Sequence, residues 1–324
     1  MSMSKKILVT GSCGFILGNY VRKAIYSQKK EADRDTFISI DRVTANNLNS
    51  MYWNQNHKFY PADIRDNHVM DIIFQREQPE IVIHGAAETF VDTSLSDPNS
   101  FVTSNVLGTQ VVINCCLKHN VKKLVYISTD EVYGQLTSEK DIAWTEEAPL
   151  DPRNPYSASK AAGEMLVKAA NASHGLIYNI TRSSNNYGPR QLPEKLIPKA
   201  IKCILTGQKI PIYGEGKQIR DWTYVDDNCS AISTIVEKGA SNETYNISAH
   251  QEFTNIEVIQ AVCNAMNEGY QLISFIPDPR PGHDFRYAVD TSKLQALGWK
   301  PSYKLKGGLE ETVNWYKLNQ WFLK

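Results

Sequence analysis

The chain has 324 residues, with Lys+Arg and Asp+Glu both at 35 and 42% hydrophobic residues. That balance gives no overall bias toward nucleic acid or an anionic membrane, and the length suffices for two lobes with sizeable cores. The cysteines (Cys13, Cys115, Cys116, Cys203, Cys229, Cys263) show neither CxxC nor Cys/His metal spacing, so no metal is expected and the setting reads as reduced and cytoplasmic. Met1 to Lys6 is too short and polar for a signal peptide, and no apolar run approaches membrane-spanning length.

Lys6 to Thr10 is a short apolar strand. Gly11-Ser12-Cys13-Gly14 follows, then a helical pattern to about Gln28. In this strand–turn–helix context Gly11 permits the tight turn and Gly14 a close backbone approach to a pyrophosphate, with the helix N–H groups facing it. Leu17 stands where a third glycine is usual, so helix–strand packing there is expected to be looser or rearranged. Thr36 to Asp41 is a second strand ending on an acid, which suits the ribose hydroxyls of NAD and repels a 2′-phosphate; the adjacent Arg42 leaves NADP open. Lys58 to Ala62 and Ile81 to His84 read as further strands, and His84 as a packed core histidine. Gly85-Ala86-Ala87 would let a cofactor lie against backbone. Asn99 to Leu117 has the apolar spacing of one long helix.

Val121 to Ser128 is a fifth strand, and it runs into Thr129-Asp130-Glu131, a hydroxyl and two carboxylates at a strand's carboxyl end. Ligands bind at that end in an open α/β sheet. After a proline-bearing loop, Pro155 opens a helix in which Tyr156 and Lys160 are four apart and share a face. A tyrosine with an ordinary pKa of about 10 is no base at neutral pH, and a nearby ammonium favours its phenolate. Leu176 to Ile180 reads as a sixth strand, Glu194 to Thr206 as a helix, and Gly307 to Leu318 as a final amphipathic helix. Arg220, Arg280 and Arg286 recur in predicted loops, as sites for phosphates would require. The fold class is α/β, a Rossmann-type doubly wound parallel sheet with a smaller mixed α/β C-terminal substrate domain.

From Lys6 to Tyr316 the chain resembles the extended short-chain dehydrogenase/reductase superfamily, and within it the nucleotide-sugar 4,6-dehydratases. The resemblance rests on Val9-Thr10-Gly11, His84 to Asp92, Ser128 to Gly134, Tyr156-Ser157-Ala158-Ser159-Lys160 and Ser184 to Pro189. It continues through Pro193 to Pro198, Ile219-Arg220-Asp221-Trp222 and Arg280 to Asp284. It implies an NAD-binding domain over 1–182, rejoined by about 221–247, and a nucleotide-sugar domain over 183–324. It implies NAD contacts from Gly11, Gly14, Phe15, Ile16, Asp41, Asp63, Ile64, Ala86, Ala87, Ser104, Tyr156, Lys160 and Asn186. The nucleotide sugar, dTDP- or UDP-glucose, would meet Thr89, Thr129, Asn185, Lys195, Leu196, Pro211, Tyr213, Arg220, Asn255, Arg280 and His283. The helices Asn99 to Leu117 and Pro155 to His174 resemble a pair that builds a homodimer interface. The sequence departs from the family pattern at Leu17 and over the shortened segment Arg42 to Asn49.

The same resemblance assigns the chemistry. Oxidising C4 acidifies the C5 hydrogen. Tyr156 takes the O4 proton with Lys160 tuning it, Thr129 holds O4, Glu131 removes the C5 proton, and a protonated Asp130 donates to the departing 6-hydroxyl. Hydride returns to C6, giving the 4-keto-6-deoxy sugar of a rhamnose-type pathway. Two adjacent carboxyls with opposite duties need pKa values pushed apart. Asp130 discriminates most sharply, because related epimerases carry small or hydroxyl residues there. The competing readings are a nucleotide-sugar C4 epimerase or decarboxylase and a non-catalytic NAD- or nucleotide-sugar-binding protein. The choice between dTDP and UDP stays open.

Overall fold

A computed structural model describes residues 4–27, 35–42, 56–280 and 283–323. In β1 (Lys6–Thr10), Ile7 and Val9 enter one core and Leu8 the other. A strand covered on both faces carries a continuous apolar run, which suits the middle of a parallel sheet. The first half continues with α1 (Phe15–Ser27), β2 (Thr36–Asp41), β3 (His57–Pro61), α2 (Asn67–Glu77), β4 (Ile81–His84) and α3 (Val91–Ser96). A helical run then passes through α4 (Pro98–Phe101), a π-helical segment (Val102–Leu107) and α5 (Gly108–Lys118), ahead of β5 (Lys123–Thr129). Next come α6 (Pro155–His174), β6 (Tyr178–Ser183), β7 (Asn185–Tyr187), α7 (Leu196–Leu205), β8 (Ile210–Tyr213) and β9 (Ile219–Tyr224). The chain ends with α8 (Val225–Lys238), β10 (Glu243–Ile247), β11 (Glu252–Thr254), α9 (Asn255–Met266), β12 (Ile273–Ile276), α10 (Ser292–Gln295) and α11 (Leu305–Leu318).

The main sheet has seven strands in the order β10-β6-β5-β4-β1-β2-β3, all paired in parallel. Strand order reverses between β1 and β4, so the crevice of a doubly wound sheet lies at their carboxyl ends. Leu17, Tyr20 and Val21 of α1 and Ile232 and Ile235 of α8 cover one face of the sheet. Met70 and Phe74 of α2, Val112 and Cys116 of α5 and Val167 of α6 cover the other. A separate cluster around Tyr187, Ile201, Trp222, Val258, Leu309 and Tyr316 holds α7, α9 and α11 to the mixed sheet β11-β9-β7 and the β12-β8 pair. The chain leaves the main sheet after β6 and re-enters it at β10, which pairs with β6 at Tyr245 and Thr181.

The structure departs from the sequence expectations in several places, and at Leu17 it takes one of the two expected alternatives. The sixth strand is Tyr178–Ser183, two residues later than read, because Thr181, Arg182 and Ser183 are buried polar residues that mask the apolar pattern. The predicted helix Asn99–Leu117 is interrupted by the π-helical segment. The run Pro98–Lys118 is long and apolar enough to cross a membrane by length and composition, contrary to expectation; it is half buried, with Val112, Ile113 and Cys116 in the core. Packing at Leu17 is rearranged rather than looser. Leu17 is buried, and its Cδ1 lies 2.5 Å from where a Cβ on Gly85 would stand. The bulk missing from one element is thus supplied by the other. Gly85→Ala is expected to destabilise by about 1–3 kcal/mol through overpacking. Leu17→Ala in the same chain should recover part of that loss, and urea midpoints of the double-mutant cycle measure the coupling. Beyond Arg42, the altered segment that reaches Asn49 lies outside the described residues.

Candidate active site

The carboxyl ends of β1, β2 and β4 converge through short contacts. Gly11 has φ +74°, and a Cβ there would sit 2.7 Å from the Ala86 amide nitrogen. Only glycine fits both the backbone conformation and the approach. The Cys13 N–H donates to Asp41 Oδ2 at 2.8 Å, so the glycine turn and the acid at the end of β2 form one unit. Burial raises the Asp41 pKa, and backbone N–H groups of Cys13 and Arg42 oppose this. Phe15 and Ile16 open α1, where the free N–H groups of the first turn face outward along the helix axis. After β3, Asp63 is gripped by Arg65, whose Nη2 lies 2.6 Å from Oδ2; that contact holds the carboxyl below its ordinary range. Arg42 Nη2 is 2.5 Å from Glu88 Oε1. Ile64 is buried, and Ile64 Cδ1 lies 2.6 Å from where a Cβ on Gly108 would stand. Ser104 is buried in the π-helical segment. Asn186 donates from Nδ2 to the Ser184 carbonyl at 2.9 Å, while its buried Oδ1 has no partner among the described residues. A backbone cradle at Gly11, a half-buried carboxylate at Asp41 and an acceptor at Asn186 unpartnered among the described residues fit a dinucleotide with ribose hydroxyls and amide donors.

Thr129 ends β5 in extended conformation and caps a single 3-10 turn, Asp130–Tyr133. Its Oγ1 accepts from the Glu131 N–H at 3.3 Å and donates to Asp130 Oδ1 at 3.3 Å. Asp130 is 3% exposed, and its Oδ2 has no partner among the described residues. Burial, then the charge of Glu131, push the Asp130 carboxyl up to about 8, with Arg220 opposing. Glu131 instead opens onto a cleft and accepts from Asn154 Nδ2 at 3.1 Å. Tyr156 is half-buried; burial and Glu131 raise its pKa, and Thr129 alongside lowers it. Lys160 is buried with Nζ 4.2 Å from the centre of the Tyr126 ring, and desolvation brings it down to about 7 against the pull of Glu164. The expected lowering of the Tyr156 pKa by Lys160 is therefore not what this arrangement produces: desolvation and Glu131 dominate. His84 bonds Thr10 Oγ1 at 2.7 Å and Thr109 Oγ1 at 3.0 Å, and burial pushes it down to about 3.

The cleft, about 280 Å³, opens beside Glu131. Asn185, Lys195 and Leu196 line it from the segment after β6, and Pro211 and Tyr213 from β8. Arg220, Asn255, Arg280 and His283 complete the set read from sequence. Thr89 does not line the cleft; its carbonyl accepts from Lys195 Nζ at 3.1 Å. Thr129 is not in the lining either; it caps the 3-10 turn that carries Glu131. The arginines need correction. Arg220 is in β9, not a loop, and its buried guanidinium stacks 4.2 Å from the Tyr287 ring centre. Arg280 Nε is 2.6 Å from Asp92 Oδ1 across the cleft. Arg286 is not in the lining; it clamps Glu252 through Nε at 2.5 Å and Nη2 at 2.8 Å, and it donates to the Ser138 and Asp141 carbonyls. Its role is to hold loops together. Sequence reading missed Arg153, Asn154, Trp222, Asp284 and Tyr287 in the lining. Trp222 and Asp284 sat inside matched motifs, and Asn154 precedes a proline at a helix start; Tyr287 carried no signal.

A family model described as GDP-mannose 4,6 dehydratase matches residues 8–312. The chain is 41% identical over 342 residues to dTDP-glucose 4,6-dehydratase 1 of Escherichia coli, covering 97% of this chain and 93% of that one. The chain belongs to the nucleotide-sugar 4,6-dehydratase family. It is also 40% identical over 314 residues to the low-salt glycan biosynthesis protein Agl12 of Haloferax volcanii, covering 96% of this chain and 98% of that protein. Among solved structures, DesIV, a dTDP-glucose 4,6-dehydratase from Streptomyces venezuelae with NAD and dTDP bound, superposes with a TM-score of 0.92 at 35% identity. That match covers 98% of this chain and 99% of DesIV. Within this family the pairing of a desolvated acid with a cleft-facing carboxylate takes on a chemical meaning.

Proposed function

We propose that this chain is an NAD-dependent hydro-lyase that converts dTDP-glucose to its 4-keto-6-deoxy derivative in deoxysugar biosynthesis. The observation that carries the reading is the Asp130–Glu131 pair: one carboxyl buried with its Oδ2 unpartnered among the described residues and its pKa pushed up, its neighbour facing the cleft beside Tyr156. An epimerase, which needs no general acid at O6, has no use for such a pair. NAD, held by Gly11, Gly14, Asp41 and the Ala86–Ala87 backbone, supplies reversible hydride acceptance, from C4 and back to C6. Tyr156 takes the O4 proton while Thr129 hydrogen-bonds O4. Glu131 takes the C5 proton, the C5–H electron pair forms the C5=C6 bond, and the C6–O bond breaks. The 6-hydroxyl leaves as water with the proton of Asp130, and Glu131 returns its proton to C5 as C6 is reduced.

Offering dTDP-glucose and UDP-glucose side by side tests the reading by product mass. A product lighter by one water, with no net change in nicotinamide, is the expected result, with dTDP-glucose preferred. Preference for UDP-glucose would revise the nucleotide alone. Products of unchanged mass from both would replace dehydration by epimerisation.

A homodimer, a cytoplasmic location and the domain division stated above belong to the same proposal. Leu95, Val102, Leu107 and Met165 are exposed apolar side chains on α3, the π-helical segment and α6, which supports pairing of those helices between two copies. The return of the chain to the main sheet at β10 supports the discontinuous cofactor domain.

A further inference from the structure

Asn154 sits between the two elements that the proposed chemistry brings together. It is the N-cap of α6, the helix that carries Tyr156 and Lys160. Its Oδ1 accepts from the Ser157 N–H at 2.8 Å. Ser157 Oγ accepts from the Asn154 N–H at 3.3 Å and donates to the Asn154 carbonyl at 3.1 Å, so the cap is closed on both sides. That fixes the amide. The remaining end, Nδ2, is a donor only, and it lies 3.1 Å from Glu131 Oε2. Turning the amide over would set an oxygen against a carboxylate and an NH₂ against an N–H, so one orientation alone satisfies both neighbours.

The two contacts span two pieces of chain that meet only in the fold. Glu131 rides on the 3-10 turn after β5, and Asn154 stands 23 residues on, at the start of α6. Both residues line the cleft. A second Glu131 neighbour is Thr129, whose Oγ1 takes the Glu131 N–H and so holds its backbone. Asn154 is the side chain that holds the carboxylate itself. We propose that Asn154 is a positioning residue for Glu131, setting its carboxylate at a fixed distance from the Tyr156 helix. This rests on the reading of Glu131 as the group that takes the C5 proton.

Helix capping and carboxylate positioning separate cleanly by substitution. Serine and aspartate cap helices about as well as asparagine, so Asn154→Ser and Asn154→Asp keep the structural duty. Asn154→Ser should melt close to wild type, whereas Asn154→Asp should lose some stability at neutral pH through its like-charge contact with Glu131. Serine lacks a donor that reaches Glu131, and misplacing a reacting group by about 1 Å costs up to roughly a hundredfold in rate. Asn154→Ser is therefore expected to lower kcat by about ten- to a hundredfold, with KM unchanged, and to slow C5 hydrogen exchange with D₂O on a dTDP-6-deoxyglucose probe by the same factor. Asn154→Asp places a like charge at hydrogen-bond distance, which disfavours a second ionised carboxylate. The acidic limb of its pH–rate profile should move to higher pH by about a unit.

A ¹³C NMR titration of the Glu131 carboxylate needs no substrate, and so separates this inference from the functional reading. Its midpoint should rise in Asn154→Asp relative to wild type. A midpoint that stays at the wild-type position overturns the inference whether or not the enzyme turns over. So does wild-type kcat in Asn154→Ser. A shifted midpoint in a protein that releases no water from either nucleotide sugar would leave Asn154 as the positioning residue and sink the dehydratase reading instead.

Discussion

Asparagine at position 130 is expected to leave C4 oxidation running while slowing loss of the 6-hydroxyl by about 10²–10⁴-fold, the range for removing a general acid. The amide matches the carboxyl in size and hydrogen-bonds in the same place, but it cannot hand over a proton. Asp130 can, because its pKa is pushed up to about 8 by burial and by Glu131 alongside. Mass spectrometry of the product and the build-up of reduced-nicotinamide absorbance after one turnover separate the two steps. The pH dependence has a definite sign. The working form is protonated, so wild-type dehydration falls as pH rises through about 8. The asparagine variant should lose that alkaline limb. Stability changes with the same sign, over a window that begins at lower pH. Between its unfolded value of about 3.9 and about 8, the side chain is charged in the unfolded chain and protonated in the fold. Folding then takes up a proton, and its stability falls as pH rises across that window. Asparagine removes the penalty, so Asp130→Asn should raise the thermal midpoint at neutral and alkaline pH, on the order of 1 kcal/mol or more. A variant that dehydrates at the wild-type rate would sink the assignment.

Breaking the Arg182–Glu164 pair should have the largest effect on stability. Both side chains are at most 1% exposed. Arg182 Nε donates to Glu164 Oε1 at 3.0 Å and Nη2 to Oε2 at 2.6 Å. Its Nη1 reaches the Tyr133 hydroxyl at 2.7 Å, and its plane lies 4.6 Å from that ring's centre. Tyr133 then donates to Asn246 Oδ1 at 2.8 Å. The network therefore ties β6, α6 and β10 to the far end of the Asp130–Tyr133 turn. Removing one partner leaves a buried charge unpaired and costs about 3–5 kcal/mol. Arg182→Met alone should lower the unfolding free energy from urea titration by that amount, whereas Arg182→Met with Glu164→Leu should recover most of it, since buried pairs exchange for apolar residues near neutrally. Equal losses in single and double variants would refute this. Glu164→Gln carries a second consequence. Glu164 supports the charge on Lys160 against the burial that brings it to about 7. Without it, Lys160 should shed its proton at lower pH, which an NMR titration of the Lys160 ammonium measures.

Local pattern and tertiary structure divide the explanation between them. The glycine turn, the acid closing β2 and the Thr129-Asp130-Glu131 exit from β5 were legible because each depends on residues only a few positions apart. Strand, turn and helix start impose their geometry locally, and the alternation of Ile7, Leu8 and Val9 already implies a strand buried on both faces. The pairing of Tyr156 with Lys160 follows from one helical turn.

What the sequence left open depends on partners far along the chain. Three similar arginines looked alike, yet Arg220 stacks on Tyr287, Arg280 reaches Asp92, and Arg286 is spent on Glu252. Leu17 reads as a departure until Gly85 is seen beneath it. Asp130 and Glu131 are chemically near-identical neighbours. Only the fold turns one into a desolvated niche and the other into a cleft, and that difference in burial, with Asn154 brought against Glu131 from the start of α6, underlies the proposed division into acid and base. The sequence alone determined which groups are present and on which strand end they stand. The tertiary structure decided how deeply each is buried and where it points, because desolvation and hydrogen bonding depend on what surrounds a group in space, not on what precedes it in the chain.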